Sequence, residues 1–262
     1  MSKDMLNVIS LGGGKQSSYM LLRALEGDFQ YRPDFAVFAD TQCEPQYVYD
    51  FLDWLIPYVK EKYNFKVVVV SKGNLKQDVV DYVDRKTKRV SQLPFFLGGN
   101  AGMVNRQCTA DYKIAPIRQH LQKVRNGKGI RLWIGISLDE IERMKTSPVK
   151  YVQHYYPLVE SRIAIDNIIS FFHDHPDMPT PGKSACLICP FHSFAYWQVF
   201  KNNFKNEFSE ACEFDNKIRK YPKLRHDAYL SNRRKPLSEI DFNFNNSLFP
   251  DLIEECHGLC GL

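Results

Sequence analysis

The chain has 262 residues, 44% of them apolar and 25% charged, with a formal net charge of +5. That length suffices for one large α/β domain or for a domain with an appendage, and the composition excludes a disordered or fibrous chain. No apolar run of about eighteen residues and no signal-peptide pattern appears, so the expected setting is cytoplasmic, without a membrane; the modest positive charge permits an anionic ligand or nucleic acid without requiring one.

Residues 5–10 read as a first strand through Leu6, Val8 and Ile9. The glycine-rich turn Ser10-Leu11-Gly12-Gly13-Gly14-Lys15-Gln16-Ser17-Ser18 follows, then a helix from Ser17 to Glu26 that Gly27 stops. Consecutive glycines let backbone N–H groups approach an anion at the helix start, Lys15 adds a mobile positive charge, and Ser17 and Ser18 add hydroxyl donors. The spacing fits neither the Walker A pattern nor G-x-G-x-x-G, because Ile9 stands where the first Walker glycine belongs and Gln16 follows the lysine.

A second strand, Phe35 to Ala39, ends at Asp40-Thr41. The strand–helix–strand length is that of a βαβ unit, which predicts an open parallel sheet and puts Ser10 to Ser18 on the same rim as Asp40 and Thr41. Pro45 then opens a helix whose apolar positions, Phe51, Leu52, Leu55, Ile56 and Val59, recur at helical spacing. Lys66 to Val70 is a third strand. The basic run Asp84 to Arg89 and a Gly/Pro-bearing loop lead to Arg106-Gln107-Cys108-Thr109 and a helix through His120 to Val124. Arg131 to Ile136 is the next strand, delivering Gly135-Ile136-Ser137-Leu138-Asp139-Glu140-Ile141-Glu142-Arg143. A helix spans Ile163 to Phe172; His173 and His175 beyond it are expected to face solvent rather than a metal.

The seven cysteines lie at 43, 108, 186, 189, 212, 256 and 260. Their odd number argues for thiol or metal chemistry over a disulfide framework. Cys186-Leu187-Ile188-Cys189 brings two sulfurs to one turn, a donor set for zinc or iron–sulfur. Residues 193–262 read as a mostly helical appendage with basic stretches at Lys217 to Arg225 and Arg233 to Lys235, ending in a tail with Cys256 and Cys260.

Over roughly residues 6–192 the chain resembles the PP-loop ATP pyrophosphatase (adenine nucleotide alpha-hydrolase) superfamily and, within it, the PAPS/APS reductase-like family. Gly13, Gly14, Lys15 and Ser17 match the S-G-G-x-D-S loop, in which Gly12 replaces the first serine and Gln16 the aspartate. Asp40-Thr41 with Glu44 resembles the A-D-T-x-x-E segment, and Gly135 to Arg143 the G-I-R-x-D-E-x-x-x-R segment, with Ser137 in place of arginine. Cys108, followed by Lys113 and Pro116, and the distant Cys186/Cys189 look like the [4Fe-4S] framework of assimilatory APS reductases, with Gln107 replacing one cysteine. The tail distantly resembles E-C-G-L-H.

The resemblance implies an α/β fold, an open, mostly parallel sheet with helices on both faces, in a nucleotide-binding domain over 1–192 with a helical appendage over 193–262. It implies ATP, or PAPS/APS, at Ser10, Gly12, Gly13, Gly14, Lys15, Gln16, Ser17, Ser18, Asp40, Thr41 and Gly135. Magnesium is a candidate companion, although Gln16 removes the loop's carboxylate. Arg106, Lys113, Arg143 and Lys183 would face the substrate, and Cys108, Cys186 and Cys189 would hold a [4Fe-4S] cluster. Lys15, Cys256 and Cys260 are the candidate catalytic residues.

Three activities follow as expectations. One is ATP activation of a nucleobase or small acceptor, with sulfur transfer from a sulfur donor, in which the acceptor includes RNA. Another is reduction of PAPS/APS to sulfite by a tail cysteine with a thiol reductant. The third is nucleotide or nucleic-acid binding without catalysis, suggested by the uncharged Gln16 and Ser137. Oligomeric state is left open.

Overall fold

In a computed structural model, residues 5–99 and 101–242 are described. Strand β1 (Met5–Leu11) buries Val8 on one face and Ile9 and Leu11 on the other, which a central strand covered on both sides requires. Parallel neighbours flank it: β2 (Phe35–Asp40) and then β3 (Val67–Ser71) on one side, β5 (Gly129–Ile134) and then β6 (Val152–Tyr155) on the other. The five-stranded order β3-β2-β1-β5-β6 is parallel throughout, with Ser10 level with Val37 and Ile134. The expected open α/β sheet is the observed one.

Helix α1 (Lys15–Glu26) joins β1 to β2 and α2 (Gln46–Tyr63) joins β2 to β3. Both crossovers travel the same way along the sheet, so right-handed connections put both helices on one face, where α6 (Ile165–Asp174) joins them. The chain then steps back past β1, and the helix preceding β5 comes down on the opposite face. That helix, α4 (Ala115–Val124), packs Ile117 and Leu121 on Val8, Val37 and Ile130. It is entered through a π turn over Ala110–Ile114: Pro116 has no N–H for an ordinary helical bond, and the first turn opens to accommodate it.

The sequence gives no warning of α3 (Leu75–Val83) beyond the spacing of its buried Leu75, Val79 and Tyr82, with Asn74 accepting from Gln77 N–H as its cap. These residues share a second core with Phe95, Tyr112, Leu187, Ile188 and the C-terminal helices α7 (Phe194–Asn203) and α8 (Lys205–Lys217). Short antiparallel strands β4 (Phe96–Leu97) and β7 (Ala228–Tyr229) tie the two stretches together. Helix α5 (Pro157–Glu160) closes the turn after β6. Among the described residues no helix is long and apolar enough to cross a membrane.

Asp215 organises this second unit. Its carboxylate is fully buried, pairs with Arg219 at 2.5 Å, and accepts from Leu230 N–H at 2.7 Å and Leu237 N–H at 3.0 Å. Asp215→Ala leaves those donors and the guanidinium without their acceptor, and is expected to cost about 3–5 kcal/mol in chemical denaturation. A loss below about 0.5 kcal/mol would show that water or another acceptor replaces it.

Candidate functional site

The chain leaves β1 in one direction and returns to β5 from the other, so the crevice between their carboxyl ends is the topological switch point, where open α/β sheets hold ligands. A cavity of about 410 Å³ lies there, within the usual range for small-molecule sites. Its floor is apolar: Leu132 and Ile134 from β5, Val152 from β6, and Ile114, Ile117 and Leu121 from the face of α4 and its π turn. Its rim carries Lys113, Arg118, Arg143, Lys145 and Lys183, and among the described residues no Asp or Glu lines it.

The glycine turn closes one end. Gly14 is the N-cap of α1, no side chain caps the helix there, and the first turn has no acidic residue, so its N–H groups and positive dipole end are offered to an anion. Ser10, Gly12, Gly14, Gln16 and Ser17 line the cavity. Gly12 N–H donates to Ser17 Oγ at 3.0 Å, which fixes the turn. Gly13, at φ +80°, packs on Val48 and Leu52 of α2. Lys15 and Ser18 do not line the cavity; Ser18 Oγ is buried with no hydrogen-bond partner among the described residues.

Gln16 and Ser137, far apart in sequence, meet one another. Gln16 Nε2 donates to Ser137 Oγ at 2.7 Å and to Glu140 at 2.8 Å, Ser137 donates to Asp139 at 2.9 Å, and Glu140 pairs with Arg143 at 2.5 Å. A neutral pair thus occupies both positions without an orphaned polar group. Arg143 reaches the rim from this network.

A strap over residues 182–184 lies across the glycine turn. Gly14 faces Ser184, whose hydroxyl donates to the Gly12 carbonyl. Tyr47 OH donates to the Lys183 carbonyl at 2.7 Å, and its ring fills the space a side chain at position 182 would need. Lys183 itself is 4% exposed, lines the cavity, and lies 5.5 Å from the Tyr196 ring. Opposite, His154 and the Tyr156 hydroxyl both bond the Lys145 carbonyl at 2.7 Å, holding the loop 145–148 at the rim.

The strap runs directly into the cysteine turn. Cys108, Cys186 and Cys189 line one pocket of about 30 Å³ together with Arg106, Thr41 and Thr109. Lys113 lines this pocket and the large cavity both. Its ammonium pairs at 3.0 Å with Glu44, whose side chain is fully buried and whose Oε2 has no hydrogen-bond partner among the described residues. Glu44 Oε1 also lies 3.7 Å from Cys186 Sγ. A hydrogen bond with Cys43, burial and the Glu44 carboxylate push the Cys186 thiol well above the ordinary range. Arg106 bonds Thr109 and stacks on Phe191 at 5.6 Å.

Among the described residues no three His, Cys, Asp or Glu side chains converge to hold a single metal ion. Cys108, Cys186 and Cys189 share the small pocket with Arg106 and Lys113 without converging on one point.

Asp40 lines neither chamber: its carboxylate accepts from Gln42 N–H at 2.7 Å and Tyr49 OH at 2.9 Å, a strand-end turn. Thr41 faces the cysteines rather than the large cavity. Gly135 lines the cavity, and a Cβ there would sit 2.9 Å from Ser17 backbone atoms, so the end of β5 can approach α1 only without one. His173 is exposed beside Asp174, and His175 bonds the Phe171 carbonyl. Cys256 and Cys260 lie outside the described residues.

Sequence reasoning missed Arg118, Lys145, Ser184, Glu44's burial and Cys43. Arg118 had a signal, since Ile114, Ile117, Arg118 and Leu121 fall on one helical face. The others come together only through the fold.

No family model and no curated protein sequence matches the chain. Among solved structures it is similar to a U34-tRNA thiolase from Methanococcus maripaludis, solved with its [4Fe-4S] cluster. The identity is 16% and the TM-score 0.43, over 82% of this chain and 72% of that one. Likeness at that level concerns the fold and says nothing of this chain's chemistry.

Gly135→Ala is expected to cost about 1–3 kcal/mol in denaturant unfolding, as a Cβ pressed onto backbone that cannot yield. Wild-type stability would show that β5 and α1 can separate at no cost.

Proposed function

We propose that the chain is an adenine-nucleotide-dependent sulfur-chemistry enzyme, in which ATP activates an acceptor and an iron–sulfur cluster assists replacement of the activated oxygen by sulfur. The observation that carries this reading is Lys113, lining both a cavity that, among the described residues, has five cations and no carboxylate and a pocket with three cysteines.

The apolar floor suits a purine and the cationic rim suits its phosphates. The uncapped start of α1, with Lys183 above it, suits the α-phosphate, where the acceptor oxygen would attack and pyrophosphate would leave. A sulfur nucleophile would then add to the acceptor carbon, and AMP would depart with the oxygen. Cys108, Cys186 and Cys189 would hold a [4Fe-4S] cluster, which when bound supplies an iron without a protein thiolate as a site for sulfur. Magnesium, if used, would be held through phosphate and water, since among the described residues no carboxylate lines the cavity.

An RNA acceptor is supported by charge. Tyr82 packs against Tyr221 and Lys217 pairs with Asp84, so the basic runs 85–89 and 217–225 lie side by side with Arg85, Lys88, Arg89, Lys223 and Arg225 exposed. Such a surface meets a polyphosphate backbone.

Lys183→Ala is expected to weaken ATP binding by about 1.5–3 kcal/mol, on the order of 10- to 100-fold, in calorimetry on the full chain. Equal affinity in the variant counts against this cavity as the phosphate site.

Cys108→Ser, Cys186→Ser and Cys189→Ser should each remove the visible absorption and most iron and labile sulfide from anaerobically prepared protein. Pyrophosphate release from ATP, dependent on an RNA acceptor, tests the reaction. Sulfite formed from PAPS or APS would select the reductase instead, and bound nucleotide without turnover would select a binding protein.

A further inference from the structure

The wall of the large cavity carries several cations and one group of a different kind. His154, near the end of β6, lines it, and so does Val152 two residues earlier, as the alternation of a strand requires. The other titratable side chains lining it are Lys113 on the π turn, Arg118 on α4, Arg143 and Lys145 between β5 and β6, and Lys183 on the strap. Ammonium and guanidinium groups donate hydrogen bonds and accept none. Among the described residues lining the cavity there is no Asp, Glu, Cys or Tyr, so His154 is the one side chain there suited to take up a proton near neutral pH.

The ring is oriented for that task. Its Nδ1 lies 2.7 Å from the Lys145 carbonyl oxygen, an atom that can only accept, so Nδ1 carries hydrogen and donates. The Tyr156 hydroxyl, 3.4 Å from the same nitrogen, is committed elsewhere: its proton goes to the Lys145 carbonyl at 2.7 Å, and its oxygen accepts from the Lys145 N–H at 3.0 Å. Nδ1 thus keeps its hydrogen whether the ring is neutral or cationic, and the proton that comes and goes is on Nε2. That nitrogen has no protein partner among the described residues. The residue of β5 paired with His154 is Leu132, which brings no charge.

We infer that His154 is a catalytic residue, the general base whose Nε2 takes the acceptor's proton as ATP activates the acceptor. This rests on the reading of the cavity as an ATP-dependent activation site. An acceptor carbonyl flanked by an N–H, as in a nucleobase lactam, must shed that proton to stay neutral once its oxygen is bonded to phosphorus. The bond formed joins the acceptor oxygen to the α-phosphorus. The bond broken joins the α-phosphorus to the oxygen bridging to the β-phosphate, and pyrophosphate leaves with that electron pair. The N–H proton passes to Nε2 and from there to water after pyrophosphate departs. No electrons change hands and neither sulfur donor nor cluster takes part, so the step is measurable apart from sulfur transfer.

The test uses the full chain as wild type and as His154→Asn, with ATP and bulk cellular RNA as the acceptor probe. The asparagine amide can still donate to the Lys145 carbonyl but has no basic nitrogen. His154→Asn is expected to bind ATP as the wild type does in calorimetry and to release pyrophosphate on the order of 100-fold more slowly. Wild-type turnover should fall as the pH is lowered, since a proton already on Nε2 blocks uptake of another, and the variant should lack that acid limb. In the wild type, diethyl pyrocarbonate should acylate His154 and ATP should protect it, read by peptide mass mapping.

A His154→Asn chain with the wild-type rate and acid limb would overturn the inference while leaving the activation reading standing. So would a variant that loses ATP affinity and rate in equal measure, which would make the histidine part of the binding surface alone. Equal labelling of His154 with and without ATP would also overturn it. A wild-type chain that releases no pyrophosphate with ATP and RNA would overturn both this and the activation reading. The labelling needs no variant, so it decides if the substitution fails to fold.

Discussion

The site depends on the contact between the glycine turn and the strap over 182–184. Gly14 would carry any Cβ to 3.3 Å from Ser184, and Ser184 in turn bonds the Gly12 carbonyl. The strap cannot drift outwards, because Tyr47 fills the side-chain space at Gly182 and holds the Lys183 carbonyl. Gly14 thus lets the strap's backbone come close to the turn, while Gly182 leaves room for the Tyr47 ring that holds the strap. Ala185 and Cys186 follow at once, so the cysteine turn is registered against the start of α1 with little slack. An element that orders the turn also orders the thiols.

The charge distribution follows from how each acid is used. Glu140 is spent on Gln16 and Arg143, Asp139 on Ser137 and the Ile165 N–H, and Glu44 on Lys113. None of these three lines the large cavity, whose described rim is cationic. Gln16 and Ser137 meet as a neutral hydrogen bond, and Glu140 supplies the negative charge that holds Arg143.

Strands β1, β2, β3 and β5 were legible because each is a short apolar run ending in turn residues, and α1 and α2 because their apolar positions repeat at helical spacing. Helix α3 was overlooked although Leu75, Val79 and Tyr82 share that spacing; its polar intervening residues and short length hid it. Strands of two residues such as β4 and β7 carry no periodicity at all, and only the packing of the second core creates them. At the site, the glycine turn, Cys108 and the Cys186/Cys189 pair stand out as residue types whose chemistry is unusual. Cys43 does not, since a single cysteine beside Thr41 has no partner until the fold brings up a turn from the far side of the chain. Asp40 shows the converse: a strand-end carboxylate stands out in sequence, yet its oxygen is committed to Gln42 and Tyr49.

Lys113 joins the two chambers, and its position makes their electrostatics interdependent. Its ammonium neutralises a buried Glu44 that lies 3.7 Å from Cys186. On the proposed function, a phosphate in the large cavity would compete with Glu44 for that same ammonium and leave the carboxylate less neutralised. In a buried setting the exposed part of that charge is poorly screened and acts on the nearest sulfur. The π turn over Ala110–Ile114 is what sets this up: by widening the helix just before Pro116 it places Lys113 in contact with both chambers while Ile114 stays on the cavity floor. On the proposed function, Lys113 would be the single side chain through which the two chambers sense one another.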